Sequence, residues 1–224
     1  MLKLFKKIIA RSKLSARCRS GEIAQLTKNN TAEAYDKLWG DQELLKHYME
    51  PARIKAFREV LRFILKQDYG ARVVELGFGS GNFLKMLVDE NRQNKLEVYG
   101  LDYAESGVER ARNLIPEGKF VHGDIYALPY ESNYFDQVYC LQTLEHLHAP
   151  EKALLEMDRI CKPDGLILLT VPNGDLDDFE GHVQFWNESA FKEFIEPREL
   201  LYFMMLNQER AMMIAFKPYK DLQR

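Results

Sequence analysis

A strand followed by three alternating glycines is the feature that most constrains the fold of this chain. Residues 73–82 read Val-Val-Glu-Leu-Gly-Phe-Gly-Ser-Gly-Asn, so an apolar run ends in a glycine-rich loop and helical spacing begins directly after it. Glycine is needed where the backbone turns sharply or approaches a ligand closely, because it lacks the Cβ that forbids such conformations. The amides at the start of the following helix attract a carboxylate or a phosphate. The segment therefore predicts a strand–loop–helix unit whose loop binds a ligand.

Short β-rich runs alternate with helical segments in the rest of the chain. The predicted strands are Val73–Leu76, Leu96–Leu101, Phe120–His122, Gln137–Leu141 and Leu166–Val171, and the predicted helices are Asn82–Asp89, Gly107–Leu114 and Glu151–Cys161. This alternation is typical of an α/β protein with a parallel sheet that is covered on both faces. Two further apolar runs, Leu200–Leu206 and Ala211–Lys217, are separated by four polar residues and predict a C-terminal antiparallel β-hairpin.

The spacing of the glycines distinguishes between two kinds of nucleotide ligand. The dinucleotide fingerprint Gly-x-Gly-x-x-Gly fails from either possible start, because Asn82 or Leu84 stands at its last position. The form acid-x-Gly-x-Gly-x-Gly instead places the carboxylate of Glu75 near the strand end, where it repels a pyrophosphate and attracts a cationic ligand. S-adenosylmethionine carries both an ammonium and a sulfonium. The segment resembles the first motif of the class I S-adenosylmethionine-dependent methyltransferases.

Acidic residues at the ends of the next two strands suit the same ligand. Asp102 is placed to accept hydrogen bonds from both ribose hydroxyls, and Asp124 from the adenine amino group. Each aspartate taken alone is more typical of a turn or a cap. Because ligands of open α/β sheets bind at the carboxyl ends of the strands, the three neighbouring strand ends together favour a cofactor site.

The resemblance to class I methyltransferases covers Arg72–Lys217, including Phe135-Asp136-Gln137-Val138 and Cys161-Lys162-Pro163-Asp164-Gly165. It implies a Rossmann-like α/β fold with a seven-stranded, mostly parallel sheet, helices on both faces, and S-adenosylmethionine as the cofactor. The cofactor-binding residues that it implies are Glu75, Gly77, Phe78, Gly79, Gly81, Asp102, Tyr103, Asp124, Ile125 and Gln142.

The stretch after the fourth predicted strand, Leu141–His148, holds the candidate catalytic residues. His146 suits a general base, since an unperturbed imidazole has a pKa of about 6.5, and Glu145 is placed to orient it; polar residues at a helix start are the competing interpretation. The stretch resembles the ubiquinone-biosynthesis O-methyltransferases, in which Glu-x-x-Glu-His supplies carboxylates to a divalent cation. Gln142 replaces the first of those glutamates, and a neutral amide is a weaker ligand for a hard cation. We therefore expect no metal ligands.

These residues lead to the hypothesis of a methyltransferase that methylates a small-molecule acceptor at oxygen. N- or C-methylation of a small metabolite is the alternative within enzymes, and a non-catalytic S-adenosylmethionine-binding regulatory protein is the alternative from another class. The loop Gly181–Asn187 either roofs the acceptor site or is anchored in the core by Phe185 and Trp186.

Charge is unevenly distributed along the 224 residues. Residues 1–20 carry seven basic and no acidic side chains, whereas the whole chain has a formal charge of −3, so residues 21–224 carry −10. Because nucleic-acid affinity depends on Lys and Arg that neutralise phosphates, we expect no nucleic-acid substrate. Residues 21–224 are interpreted as one methyltransferase domain with a helical N-terminal cap at about 32–68, interrupted at Pro51.

The first twenty residues place apolar side chains at helical spacing between the basic ones. Three interpretations stay open: a packing helix, a peripheral membrane contact with anionic lipid, or a targeting presequence. The three cysteines are widely spaced and form no zinc-binding pattern, which favours a reduced compartment. We expect a cytoplasmic location, with membrane association only through residues 1–20, and leave the oligomeric state open.

Overall fold

The structure is a computed structural model that describes residues 21–91 and 96–219. The predicted basic segment 1–20 lies outside the described residues. Residues 21–27 are helical. The helices that follow are α1 (Ala32–Gly40), α2 (Gln42–Tyr48), α3 (Pro51–Ile64), α4 (Asn82–Glu90), α5 (Glu105–Leu114), α6 (Pro150–Ile160) and α7 (Glu188–Phe194), with a 3₁₀ turn at Leu144–His146. The strands are β1 (Arg72–Leu76), β2 (Glu97–Asp102), β3 (Lys119–His122), β4 (Phe135–Leu141), β5 (Cys161–Pro172), β6 (Leu200–Leu206) and β7 (Ala211–Phe216).

The seven strands form one sheet in the order β3-β2-β1-β4-β5-β7-β6. Strands β1 to β5 run parallel, and β7 runs antiparallel to both β5 and β6. The predicted fold class, including the C-terminal antiparallel hairpin, is confirmed. The chain moves outward from β1 to β3 and then crosses back to β4 beside β1, and such a reversal opens a ligand crevice at the carboxyl ends of the strands.

Both faces of the sheet are buried, because neighbouring residues of a strand point to opposite sides. Val74 belongs to one core cluster together with Met157 of α6, whereas Val73 belongs to a second cluster together with Leu84 of α4. The central strands therefore read as continuous apolar runs, as expected for a parallel sheet between two helical layers.

The N-terminal cap consists of more helices than the sequence predicted. A break at Asp41 separates α1 from α2, in addition to the predicted break at Pro51. The Asp41 carboxylate accepts hydrogen bonds from the amides of Glu43 and Leu44 at 2.8 and 3.1 Å, and so caps α2. The cap is bound to helix α5 by Asp36, whose carboxylate accepts a hydrogen bond from the Ser106 amide at 2.9 Å.

Strand β5 begins at Cys161, earlier than the predicted Leu166, because Cys161 pairs with Phe135 before a register shift. In the part of the chain that the structure describes, helices with the length and apolar character of a membrane span are absent.

Candidate functional site

A cavity of about 1050 Å³ lies at the carboxyl ends of β1, β2 and β4. Its wall combines the glycine loop, the loops after β2, β3 and β4, and aromatic side chains of the cap such as Tyr35 and Trp39. Ligand sites commonly enclose about 300–1,000 Å³. This cavity is therefore large enough for a nucleoside ligand together with a second molecule.

The glycine loop has a backbone that other residues rarely adopt. Gly77, Gly79 and Gly81 have positive φ angles of 71°, 54° and 71°. A Cβ on Gly79 would lie 2.8 Å from the Trp39 ring of α1, so the cap packs directly on the loop. The Gly79 amide donates a hydrogen bond of 2.6 Å to the Asp102 carboxylate at the end of β2. The loop is thus fixed from both sides before any ligand binds.

Two buried carboxylates lie in the wall beneath this loop. Glu75 is 2% exposed, and its Oε2 has no hydrogen-bond partner among the described residues. Burial raises the pKa of Glu75 well above its ordinary value, and the charge of Asp102 adds to the effect. Burial also raises the pKa of Asp102 to about 6, although backbone amides including those of Ala104 and Gly79 oppose the shift. An unpaired buried carboxylate is costly, and a cationic ligand group beside it removes that cost.

All of the predicted cofactor-binding residues except Gly81 line the cavity. Gly81 is instead the N-cap residue of α4. A Cβ on Gly81 would lie 3.1 Å from that of Ala111, so a glycine is needed where α4 packs against α5. Asp124 is exposed and accepts a hydrogen bond from the Tyr126 amide at 2.8 Å.

Three other predicted cofactor residues differ in their exposure and contacts. Tyr103 is exposed, whereas Ile125 is buried. Gln142 has a φ of 53°, and its side chain donates to the Thr170 hydroxyl at 3.3 Å. This contact turns the Gln142 amide nitrogen toward β5.

The candidate catalytic residues Glu145 and His146 lie in the 3₁₀ turn after β4 and line the same cavity. His146 Nδ1 donates to the Gly181 carbonyl at 3.2 Å, so the neutral ring keeps its lone pair on Nε2. The Tyr35 hydroxyl lies 3.5 Å from that Nε2 but gives its proton to Asn30. The hydrogen bond that holds the His146 ring is thus made to the Gly181 carbonyl, while the predicted role of Glu145 in orienting the ring stays a prediction.

Burial shifts the pKa values of the two catalytic candidates in opposite directions. It lowers the pKa of His146 to about 4, and the neighbouring His182 lowers it further. It raises the pKa of Glu145 to about 8, with an added contribution from Asp177. The His146 imidazole is therefore neutral near pH 7 and has a lone pair available to a proton donor, but it is a weaker base than the unperturbed imidazole assumed from the sequence.

The loop after β5 contributes two residues to the site: His182 lies in the segment Gly181–Asn187 that was predicted either to roof the acceptor site or to be anchored in the core, and Phe179 lies outside it. His182 and Phe179 line the cavity, and the His146 and His182 rings lie 4.7 Å apart between centroids. Trp186 is buried against α7 as one of the two interpretations predicted, whereas Phe185 is 52% exposed and does not anchor the loop in the core. The sequence signal that points to this loop as part of the site is its content of aromatic residues and histidine.

The cap contributes a further unpredicted residue, Arg53 at the start of α3. Its guanidinium lies 3.8 Å above the Tyr48 ring, its Nε donates to the Tyr48 carbonyl at 3.1 Å, and it lines the cavity. It supplies a positive charge to a wall that otherwise carries buried acids.

Comparisons with known proteins relate this chain to methyltransferases. Residues 74–169 match the methyltransferase domain family. The 2-methyl-6-phytyl-1,4-hydroquinone methyltransferase of Synechocystis sp. is 27% identical over 187 residues, which are 77% of this chain and 56% of that protein. The crystal structure of the N-methyltransferase NodS from Bradyrhizobium japonicum, in complex with S-adenosyl-L-homocysteine, has a TM-score of 0.72, 16% identity, and coverage of 84% of this chain and 98% of that chain. Residues 74–169 are thus similar to a methyltransferase domain, and the described chain has the fold of a solved N-methyltransferase.

A second relative of this methyltransferase domain is named for a different kind of acceptor. The probable tRNA methyltransferase 9B of Homo sapiens is 27% identical over 153 residues, which are 67% of this chain and 30% of that protein. The chain thus spans about half the length of the first relative and about a third of the second.

S-adenosylmethionine is the cofactor of this methyltransferase domain, and the residues present fit it. The unpaired Glu75 carboxylate suits the ammonium, the positive-φ glycines let the backbone approach closely, and the buried Asp102 is an acceptor at the end of the neighbouring strand.

Proposed function

We propose that the chain methylates a hydroxyl oxygen of a small, largely apolar ring compound. The observation that carries this proposal is the single cavity that joins the glycine loop to the His146 imidazole past aromatic side chains of the cap. When bound, S-adenosylmethionine supplies a methyl group on a sulfonium, which needs little further activation. The protein's task is to hold the acceptor in line, exclude water and receive a proton.

In this proposal the ammonium of the cofactor lies beside the Glu75 carboxylate, whose Oε2 has no hydrogen-bond partner among the described residues. Asp102 and Asp124 accept from the ribose and the adenine. Tyr35 and Trp39 of the cap also line the cavity, so the cap contributes to cofactor affinity.

The acceptor lies at the other end of the cavity, against the His146 imidazole and the rings of Tyr35 and Phe179. A hydroxyl there donates to His146 Nε2, which fixes the oxygen and receives the proton as the new carbon–oxygen bond forms. Aromatic walls favour an apolar ring, and the relative that acts on a hydroquinone supports an acceptor of that class.

Each rival function conflicts with one observation or leaves one unexplained. A tRNA acceptor conflicts with the formal charge of −10 on residues 21–224, because phosphates would be repelled. A non-catalytic regulatory protein leaves unexplained why an imidazole with a free lone pair lies in the cofactor cavity.

The test is methyl transfer by the full chain from ¹³C-methyl-labelled S-adenosylmethionine to a panel of phenols, hydroquinones, sugars, small acids and tRNA. We expect a product whose methyl carbon has the NMR shift of an O-methyl group. His146→Gln should lower kcat by about 10²–10⁴-fold, the usual contribution of acid–base catalysis, while S-adenosylhomocysteine binding is retained. An N- or C-methyl product, or full activity of the His146→Gln variant, would overturn the oxygen assignment, and no product from any acceptor would favour the regulatory alternative.

A further inference from the structure

Asn30 joins three segments of the chain at the acceptor end of the cavity. Its side-chain nitrogen donates to the His146 carbonyl at 2.7 Å, and its side-chain oxygen accepts from the Tyr35 hydroxyl at 3.2 Å. Its backbone amide donates to the Thr27 carbonyl at 3.0 Å. This residue therefore connects the helical segment 21–27, helix α1 and the 3₁₀ turn after β4, and it lines the cavity.

The backbone of Asn30 has a left-handed conformation, with a φ of 56°. Asparagine tolerates this conformation better than most residues with a side chain, and glycine adopts it freely. Asn30→Gly would therefore remove both side-chain contacts without adding backbone strain. This substitution separates what the side chain does from what the turn does.

The two side-chain contacts of Asn30 fix the direction of the Tyr35 proton. A carbonyl oxygen only accepts, so the amide nitrogen must face the His146 carbonyl and the amide oxygen must face Tyr35. That oxygen also only accepts, so the Tyr35 hydroxyl must donate to it. Burial raises the pKa of Tyr35 above its ordinary value, so the hydroxyl keeps its proton near pH 7. Because a hydroxyl has one proton, Tyr35 does not donate to His146 Nε2, although its oxygen lies 3.5 Å from that nitrogen.

His146 Nε2 is the ring nitrogen that carries the free lone pair. The other nitrogen, Nδ1, donates to the Gly181 carbonyl at 3.2 Å. Burial lowers the pKa of the ring to about 4, and His182 and the positive charge of Arg53 lower it as well, although the bond to Gly181 opposes the shift. Within residues 21–91 and 96–219, the one hydrogen-bonding group in reach of Nε2 is the Tyr35 hydroxyl. The direction of its proton therefore decides whether the lone pair is free.

We propose that Asn30 is a positioning residue that keeps the lone pair of His146 Nε2 free for the acceptor. It accepts the Tyr35 proton, and through the His146 carbonyl it holds the turn that carries the imidazole. Without the Asn30 side chain, the Tyr35 hydroxyl turns to Nε2 and occupies the lone pair. The part of this inference that concerns the acceptor rests on the proposed function, whereas the direction of the Tyr35 proton does not.

The first experiment observes the His146 ring in the full chain, without cofactor or acceptor. The ¹⁵N resonance of an imidazole nitrogen without a proton moves upfield when that nitrogen accepts a hydrogen bond. In ¹⁵N-histidine-labelled protein at pH 7, the His146→Gln variant identifies the signal of His146 among the five histidines. The variants compared are Asn30→Gly, Tyr35→Phe and the double variant of both, which form a double-mutant cycle.

The matched control is Asn133→Gly. Asn133 also has a left-handed backbone, with a φ of 55°, but it is exposed and is absent from the cavity wall. The control therefore repeats the same substitution in the same conformation away from the site.

We expect Asn30→Gly to move the His146 Nε2 signal upfield, because the Tyr35 hydroxyl then donates to it. Tyr35→Phe alone and Asn133→Gly should leave the signal unchanged, and the double variant should return it to the position in the unmodified chain. Thermal unfolding and S-adenosylhomocysteine binding establish that each variant is folded. An unchanged signal in Asn30→Gly, or an upfield signal that persists in the double variant, would overturn the inference.

The second experiment measures methyl transfer by the same variants. Asn30→Gly should lower kcat/KM for the acceptor about 3–10-fold, the effect of one competing hydrogen bond, while S-adenosylhomocysteine affinity is retained. Adding Tyr35→Phe should restore most of this loss relative to Tyr35→Phe alone. A purely structural role of Asn30 would give no such rescue, and its absence would overturn the positioning role.

The two experiments distinguish this inference from the proposed function. The NMR change in Asn30→Gly without a lower kcat/KM confirms the direction of the Tyr35 proton and overturns its role in the reaction. If the unmodified chain methylates no acceptor, the proposed function fails, and the NMR series alone confirms or overturns the direction of the Tyr35 proton.

Discussion

At the scale of single residues, the site depends on carboxylates that are buried before a ligand arrives. Glu75 and Asp102 both lie in the cavity wall; burial raises the pKa of both carboxyls, and the charge of Asp102 raises that of Glu75 further. Such groups reduce the stability of the empty domain and favour a cationic ligand.

Glu75→Gln should weaken S-adenosylhomocysteine binding about 10–100-fold, because a hydrogen bond to a charged group contributes about 1.5–3 kcal/mol. The melting temperature of the empty domain should stay the same or rise, since the variant no longer buries an unpaired carboxyl. Calorimetry and thermal unfolding measure the two effects. Glu97→Gln, at an exposed position of β2, is the control, and a Glu75→Gln variant with unchanged affinity would contradict the prediction.

Cofactor affinity should fall as pH decreases through about 6. The folded domain raises the pKa of Asp102 to about 6 from 3.8, so the protonated carboxyl stabilises the empty domain at low pH, and this contribution is lost as pH rises through 6. Ribose hydroxyls need the ionised acceptor, so the Kd should increase by up to about tenfold per pH unit below 6.

The charged groups that face Asp102 are Glu75 and Asp36, and Tyr103 adjoins it. Glu75 titrates in the same direction, so the pH series is repeated in the Glu75→Gln variant to separate the two carboxyls. A Kd for S-adenosylhomocysteine that is constant from pH 5 to 8 in both proteins would exclude the proposed role of Asp102.

At the scale of elements, the contact between the cap and the glycine loop couples helix α1 to strand β1. Trp39 is buried against Gly79, where the backbone has a φ of 54°. The glycine loop was predictable because its signal is contiguous in sequence. Its contact with Trp39 was not, because nothing local to α1 indicates which surface of the sheet it covers.

Gly79→Ala should lower the free energy of unfolding by about 1–3 kcal/mol. The left-handed backbone costs an L-residue about 1–2 kcal/mol, and the new methyl would lie 2.8 Å from the Trp39 ring. Urea unfolding measures the change. Gly21→Ala is the control, since that helical position has open space around it and alanine should be neutral or stabilising there. Equal stability of both variants would refute the strain argument.

The break at Asp41 shows a helix signal that was present but not used in the prediction. An aspartate that caps the next helix is a local feature, and it explains why α1 and α2 are separate. The convergence of His146 and His182 is different. These residues are far apart in the chain, and only the parallel alignment of β4 and β5 brings the loops that follow them together.

At the scale of the whole molecule, the cavity divides the domain into a side that touches ligand and a side that does not. Helices α1 and α2 contribute Tyr35, Trp39 and Tyr48 to the wall, whereas α6 and α7 pack on the opposite face of the sheet and contribute none of the cavity-lining residues. The predicted layers, a sheet covered by helices on both faces, follow from hydrophobic periodicity. The division between these two sides follows only from the three-dimensional arrangement.

S-adenosylhomocysteine should therefore slow amide hydrogen exchange in α1 and α2 much more than in α6 and α7. A ligand in the cavity suppresses the local opening motions in which the cap separates from the glycine loop. Such motions govern amide exchange in elements like α1 and α2. Mass spectrometry of peptides from both regions measures the contrast. Equal slowing in all four helices would indicate a general stabilisation and contradict a ligand-specific cap.

The chain has two tryptophans, and they occupy opposite environments with respect to the cavity. Trp39 lines it beside the glycine loop, while Trp186 lies in the core cluster on the other side of the sheet, 6.0 Å from Phe191. Occupancy of the nucleoside end therefore alters the surroundings of one indole and leaves the other unchanged. The fold contains its own fluorescent reporter of cofactor occupancy, with an internal reference in the same molecule.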